Sequence, residues 1–469
     1  MLFSLTHLVP LAVAVYYADG MHYKFLVAFV TTFFAGLCLW IPVNNTQQEM
    51  RIRDGFLITA LFWFVLGLFG ALPFLLTELL HLSIAEAVFE SVSGLTTTGA
   101  TVIADLSQLP KSILFYRQQL QWLGGIGIVV IAVAILPMLG IGGMQLYRAE
   151  TPGPIKDSKL TPRITETAKW LFIIYISLTV ACAFSYWVAG MNEFDAIAHS
   201  FSTISIGGFS PHNASLGHYQ SPTIWLIASG FMIISALNFA LHFYVWRKLT
   251  IKQYLRDAEV KTLLFFLLML IVFIIVGLWA YGVSDSLEHW WVHGIFQSIS
   301  MLTTTGFATT TFHQWPMHLP IMLICASFIG GCAGSTGGGV KVIRVLLMIK
   351  QGVRELSMLI HPRAIMPVKI KNQVVSERVL SAVWSFLAVY VIVLLFLVIG
   401  LQATGLNMIT AVSAAIAMLN NLGPGLGDVA SHYGSIHDAS KWIMCLAMLL
   451  GRLEIFTLLV LFSPAFWRR

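Results

Sequence analysis

The sequence predicts an all-α polytopic membrane protein: ten transmembrane helices, arranged as four helix, re-entrant loop, helix repeats in pseudo-fourfold order, with an extra N-terminal helix pair. Three observations carry this expectation. Of 469 residues, 58% are hydrophobic and only 10% charged, against roughly 25% charged in ordinary soluble domains. Apolar runs long enough to cross a bilayer core of about 30 Å recur along the chain. Between them, a fifteen-residue pattern returns four times. So few polar side chains could not cover the surface of a globule, which excludes cytosolic enzymes, nucleic-acid binders and disordered scaffolds.

Runs nearly free of charge lie at 2–18, 25–43, 55–77, 118–143, 170–190, 222–246, 262–284, 315–340 and 379–401. A tenth, 442–463, is interrupted by Arg452 and Glu454. The N-terminal run lacks the basic segment of a signal peptide, so it reads as a membrane helix. Lys and Arg concentrate at 44–54, 144–169, 247–261, 341–378 and the terminal Arg468 and Arg469. Only Lys24, Lys111, Arg117 and Lys441 are left for the opposite face. Basic loops stay in the cytoplasm, so both termini are expected there, in a bacterial inner membrane. Cys38, Cys182, Cys325, Cys332 and Cys445 are scattered through apolar stretches without metal-ligand spacing.

The repeated pattern superimposes without gaps as AVFESVSGLTTTGAT (87–101), AIAHSFSTISIGGFS (196–210), GIFQSISMLTTTGFA (294–308) and AVSAAIAMLNNLGPG (411–425). Its thirteenth column is always glycine, at Gly99, Gly208, Gly306 and Gly423. The unit is roughly a hundred residues long, the signature of stacked repeats. Expected boundaries are 1–50 for the helix pair, then 51–150, 151–255, 256–372 and 373–469 for the four repeats.

A dozen residues cannot cross a bilayer, so each window reads as a half-helix that stops near the midplane and returns as extended chain. Unpaired peptide groups at that depth are tolerated only where they line a water-filled cavity. Four half-helix C-termini also aim negative dipole ends inward, and the Thr, Ser and Asn residues beside the glycines add oxygens. The combination suits a cation, much as rings of carbonyls replace the water shell of potassium in a selectivity filter.

With TTTGAT at 96–101, SIGGFS at 205–210, TTTGFAT at 303–309 and NNLGPG at 420–425, the chain resembles the Trk/Ktr/HKT superfamily of potassium transporters over essentially its whole length. The added N-terminal pair is closest to the bacterial TrkH branch. The resemblance implies a homodimer with one pore per protomer. It also implies a potassium filter lined by the backbone of Thr97, Thr98 and Gly99; Ile206, Gly207 and Gly208; Thr304, Thr305 and Gly306; and Asn421, Leu422 and Gly423. In this superfamily a serine at the first filter glycine accompanies sodium transport, so Gly99 points to potassium.

Six of the ten residues from Gly330 to Gly339 are glycine. Each glycine inside a helix costs about 1 kcal/mol relative to alanine, so the run 315–340 should break there. One reading is close helix packing, as in GxxxG. The preferred reading, which the resemblance also implies, is an intramembrane gate formed by Gly330, Gly331, Gly334, Ser335, Thr336, Gly337, Gly338 and Gly339 below the filter. GSTGGGVK falls short of a phosphate loop because Val340 stands where the lysine belongs.

Arg452 lies about ten residues, or roughly 15 Å, into its run. An arginine at that depth needs a cavity or a partner. Either it pairs with a carboxylate or carbonyl of another helix, or it forms part of the gate, as a positive charge opposing cation passage until the gate moves.

Asp105 and Asp428 follow the first and fourth windows and could concentrate cations at the mouth, or be ordinary solvated loop carboxylates. Glu90 and His199 share a column of the repeat and are expected to hydrogen-bond the supporting shell. No metal spacing links His313, His318, His432 and His437, and no organic cofactor is expected on this chain. The basic loops at 247–257 and 341–373 fit topology and anionic lipid. By resemblance, the second would meet a cytosolic ring of nucleotide-binding TrkA-type regulatory subunits. A secondary potassium symporter coupled to protons or sodium is the alternative. It would call for inverted repeats and a buried carboxylate pair, whereas these repeats run one way. A sodium-permeable homologue is a further alternative. A membrane enzyme would need paired intramembrane aspartates or HExxH, and neither occurs.

Overall fold

In the computed structural model, residues 1–43, 52–130, 164–285, 288–370 and 373–467 are described. Among the described residues, five helices are long and apolar enough to cross a membrane: His22–Trp40, Asp54–Leu75, Ala168–Val188, Ala258–Ala280 and Glu377–Ala403. Their large apolar side chains stand outward, as Phe265 and Leu268 do at 57% and 62% exposure, which suits a lipid-facing surface better than a watery one.

Three expected spans take a different form. The run 222–246 is bent by 96° between Pro222–Ala236 and Phe239–Lys248, where Asn238 caps the second piece by accepting from the Ala240 N–H. The run 442–463 is bent by 108° after Arg452, through left-handed φ values of 55° and 50° at Glu454 and Ile455. The run 315–340 is helical only over His318–Ala326, and helix resumes at Val342–Ile360. Its break falls in the glycine-rich segment, as the sequence predicts. The run 118–143 begins in the helix Lys111–Val130, and its remainder lies outside the described residues. The helical expectation also misses, among the described residues, a short antiparallel strand pair, Lys369–Ile370 with Gln373–Val374.

The four windows form short helices, Ile84–Leu95, Glu193–Ile204, Trp290–Leu302 and Met408–Leu419. Three of them are started by a polar cap. Ser83 and Glu86 make a capping box, and Asn192 and Asn407 accept from the N–H three residues on. Such caps satisfy donors that a helix start leaves free. All four stop in the same way. The N–H groups of Thr97 and Thr98 bond the carbonyls of Gly94 and Ser93, and the same pair of bonds recurs at Ile206 and Gly207, Thr304 and Thr305, and Asn421 and Leu422. This is a Schellman ending, with its left-handed residue supplied by Thr, Ile, Thr and Asn in place of glycine.

One ion pair sits deep between the first two windows. Arg117 Nε meets Glu90 Oε1 at 2.7 Å, with both side chains essentially inaccessible. Arg117 also donates to the Ser210 carbonyl and Thr101 Oγ1, both at 3.1 Å. Glu90 further accepts from the Val102 N–H at 3.0 Å. Removing one partner strands the other charge, at a cost of about 3–5 kcal/mol. Arg117→Met should therefore lower the thermal stability of the detergent-purified protein markedly, and adding Glu90→Leu should restore part of it. A thermal scan in which Arg117→Met matches the parent would remove this constraint.

Candidate functional site: four converging backbone turns

The residue that ends each window helix, Thr97, Ile206, Thr304 or Asn421, has φ between 53° and 64°. The glycine two positions on has φ of 82° at Gly99, 79° at Gly208, 83° at Gly306 and 94° at Gly423. The residue between them is not left-handed. Alternating handedness turns successive carbonyls toward one side, where a regular strand would alternate them. Glycine adopts this conformation freely, whereas a β-branched residue such as Ile206 does so only under constraint.

The four turns meet in a closed ring. A Cβ built on Gly99 would collide with the carbonyl of Gly207, one on Gly208 with that of Thr305, one on Gly306 with that of Leu422, and one on Gly423 with that of Thr98. Each window thus presses its glycine against the middle carbonyl of the next, and the fourth returns to the first. Among the described residues, the carbonyls of Thr97, Thr98, Thr304, Thr305, Asn421 and Leu422 accept no hydrogen bond. Two of the twelve expected lining carbonyls do have protein donors. Gly207 accepts from Gln121 Nε2 at 2.5 Å and Gly423 from the Tyr433 hydroxyl at 2.8 Å.

Side-chain hydrogen bonds brace the ring. Asn421 Nδ2 donates to Thr98 Oγ1 and to the Met448 carbonyl, both at 3.0 Å, joining the fourth window to the first. His199 Nε2 lies 3.0 Å from Ser210 Oγ, and Glu90 is the ion-pair partner described above, so both members of that repeat column support the turns. After the first window, Asp105 accepts from Asn213 Nδ2 at 2.8 Å and from Ser107 Oγ at 2.7 Å. These hydrogen bonds, Asn213 foremost, hold its carboxyl below the ordinary range. Asp428 accepts from Asn407 and Thr410. No group of metal-binding side chains occurs among the described residues.

Directly against the ring lies the glycine-rich segment, with φ of 67°, 71° and 76° at Gly330, Gly334 and Gly339. Its N–H groups at Gly338 and Gly339 donate to Thr304 Oγ1 at 2.7 Å and to the Asn420 carbonyl at 3.2 Å. Thr336 Oγ1 donates to the Ile204 carbonyl at 3.1 Å. Contact is too close for side chains: a Cβ on Gly338 would strike the Asn420 carbonyl, and one on Gly331 the Ser335 hydroxyl. Arg452, 3% exposed, donates to the carbonyls of Thr336 at 3.0 Å and Gly124 at 3.3 Å. Of the partners open to it, carbonyls are the ones it takes. Glu454 pairs instead with Arg344 at 2.5 Å.

Sequence reasoning missed Gln121, Tyr433 and Lys341. The polar stretch Arg117–Gln121 at the start of an apolar run was the available signal for Gln121. Nothing local marks Tyr433, whose role depends on the chain folding back over the fourth turn.

The chain matches the family described as "TrkH: Cation transport protein" over residues 21–469. It is 54% identical over 469 residues to the Trk system potassium uptake protein TrkH of Halomonas elongata, covering 100% of this chain and 97% of that one. To the protein of the same name from Escherichia coli K12 it is 52% identical over 467 residues, with the same coverage. The crystal structure of the potassium transporter TrkH from Vibrio parahaemolyticus superimposes with a TM-score of 0.92 at 50% identity, covering 100% of this chain and 97% of that chain. With its four turns closed into a ring and its full length shared with these relatives, the chain belongs to the TrkH family of cation transport proteins.

Proposed function

We propose that this protein is the translocating subunit of a potassium uptake system, carrying the ion through a gated, potassium-selective pore in the bacterial inner membrane. The observation that carries the reading is the closed ring in which each window's glycine abuts the next window's middle carbonyl. Oxygens held in such a ring can substitute for the hydration shell of a monovalent cation. Thr97, Thr98 and Gly99; Ile206, Gly207 and Gly208; Thr304, Thr305 and Gly306; and Asn421, Leu422 and Gly423 would line the filter. Relatives named as potassium uptake proteins support potassium as the cargo. In this reading the four repeats surround one pore per protomer, the chain crosses the bilayer ten times with both termini cytoplasmic, and two copies form a homodimer.

Below the filter, residues Gly330 to Gly339 and Arg452 would form the gate. The segment touches three windows and is held by a buried cation, so it obstructs the path until it moves. The basic stretch beyond it, 341–373, would receive a cytosolic regulatory subunit of the TrkA type, leaving this chain with no nucleotide of its own.

Proteoliposomes of the purified chain should take up rubidium, and potassium should compete better than sodium. Gly99→Ser puts a side chain against the Gly207 carbonyl. A displaced ligand worth about 1.4 kcal/mol should lower the potassium-to-sodium preference about tenfold. Unaltered competition would refute the filter assignment. A fixed like charge about 4 Å from a permeating ion costs about 4 kcal/mol at an effective dielectric of 20. Arg452→Ala, or a partial deletion within 331–338, should therefore raise rubidium flux by at least about tenfold. Flux at the parental level in both would remove the gate.

A further inference from the structure

Two neighbouring carbonyls of the glycine-rich segment are each held by a different cation. Arg452 Nη1 donates to Thr336 at 3.0 Å, and the Lys341 ammonium donates to the Gly337 carbonyl. Both cations sit at strained joints. Lys341 immediately precedes the helix Val342–Ile360 with φ 81° and ψ 134°, a region that residues bearing a side chain rarely occupy unless the surroundings enforce it. Arg452 closes the helix Asp438–Arg452, and the chain then bends through left-handed φ at Glu454 and Ile455.

These joints are tied to each other. Arg344, three residues beyond Lys341, reaches Glu454, two residues beyond Arg452, at 2.5 Å. The Arg344 guanidinium also donates to the Val340 carbonyl at 3.1 Å and lies 4.2 Å from the Phe386 ring centre. It therefore has a fixed geometry from which to pull. A displacement of the helix Val342–Ile360 moves Lys341 directly, and through Arg344 and Glu454 it moves the bend that holds Arg452.

We propose that Lys341 is a second gate cation, coupled to Arg452 through the Arg344–Glu454 pair, so that one movement of the helix Val342–Ile360 frees the Thr336 and Gly337 carbonyls together. The proposal rests on the gated-pore reading and adds the coupling to it. While closed, the ammonium and guanidinium satisfy oxygens that would otherwise attract an entering ion. Once freed, those oxygens face the permeating cation and the two positive charges have withdrawn. Strain at Lys341, Glu454 and Ile455 favours release, and the ion pair opposes it.

Rubidium uptake into liposomes holding the full chain alone tests this. Lys341→Met keeps the stem and removes the charge, and Glu454→Gln cuts the tie. Each should raise flux by about fivefold or more, the lower end of usual coupling between sites. Lys341→Arg should remain near the parent. Combining Lys341→Met with Arg452→Ala should give no more than the larger single effect, since groups acting as one unit are not additive. Protection of each variant against heat by added potassium identifies folded protein, and Lys341→Gln replaces Lys341→Met where the latter lacks it. If Arg452→Ala raises flux while Lys341→Met and Glu454→Gln stay at the parental level, or lose stability without conducting faster, the coupled latch is wrong and the gate stands. If Arg452→Ala also leaves flux unchanged, the gate reading falls with it.

Discussion

A peptide group buried away from water must find a hydrogen-bonding partner or face something that replaces one. Everything at the centre of this molecule follows from four places where the chain declines the first option. The Schellman ending satisfies the N–H groups after each window helix, at Thr97 and Thr98 and their counterparts. It leaves the carbonyls of the same residues, apart from those of the second turn, with no bond from the described part of the protein, and in that turn Gln121 holds the Gly207 carbonyl. Donor and acceptor are thus separated: donors are turned back into the helix and acceptors out to the axis. The surrounding shell serves that separation, from the Glu90–Arg117 pair to the Asn421 amide, because an ordered cluster of like dipoles will otherwise relax apart.

The cost of this arrangement shows in the backbone. Left-handed residues other than glycine or asparagine are disfavoured by about 1–2 kcal/mol each, yet Thr97, Ile206 and Thr304 all adopt that conformation. They are held there by complete enclosure, each being no more than 1% exposed. Glycine appears two positions later because there no side chain fits at all. The same logic governs the glycine-rich segment, where Gly330 and Gly338 permit backbone to lie on backbone and only some of the glycines have a left-handed φ. The close-packing reading of those glycines and the gate reading therefore describe one geometry, since a segment that blocks a path must first pack against its walls.

Much of this was legible in the sequence because the determinants are local. A fixed glycine column, neighbouring hydroxyls and amides, and a helix too short to cross a bilayer are all read within fifteen residues. The break inside 315–340 was equally legible from glycine content. Hydropathy, by contrast, does not report chain direction. The run 222–246 carries no Lys, Arg, Asp or Glu and 442–463 only Arg452 and Glu454, yet they turn through 96° and 108°. At the first bend, Asn238 offered a cap signal. At the second, Ile455 gives no hint of a left-handed φ. Long-range partners were out of reach for the same reason. Glu90 finds Arg117, Gln121 finds Gly207, and Glu454 finds Arg344 only once separate elements are packed.

The ring is built from four stretches of a single gene product, and they are chemically unequal. Gln121 grips the second, Tyr433 the fourth, and proline follows the glycine only in the fourth. A channel assembled from identical subunits changes all its walls whenever one codon changes. In the proposed filter a point mutation would alter one quadrant and spare three, so the passage could drift in small increments, and an experimenter could tilt its affinity from one side at a time.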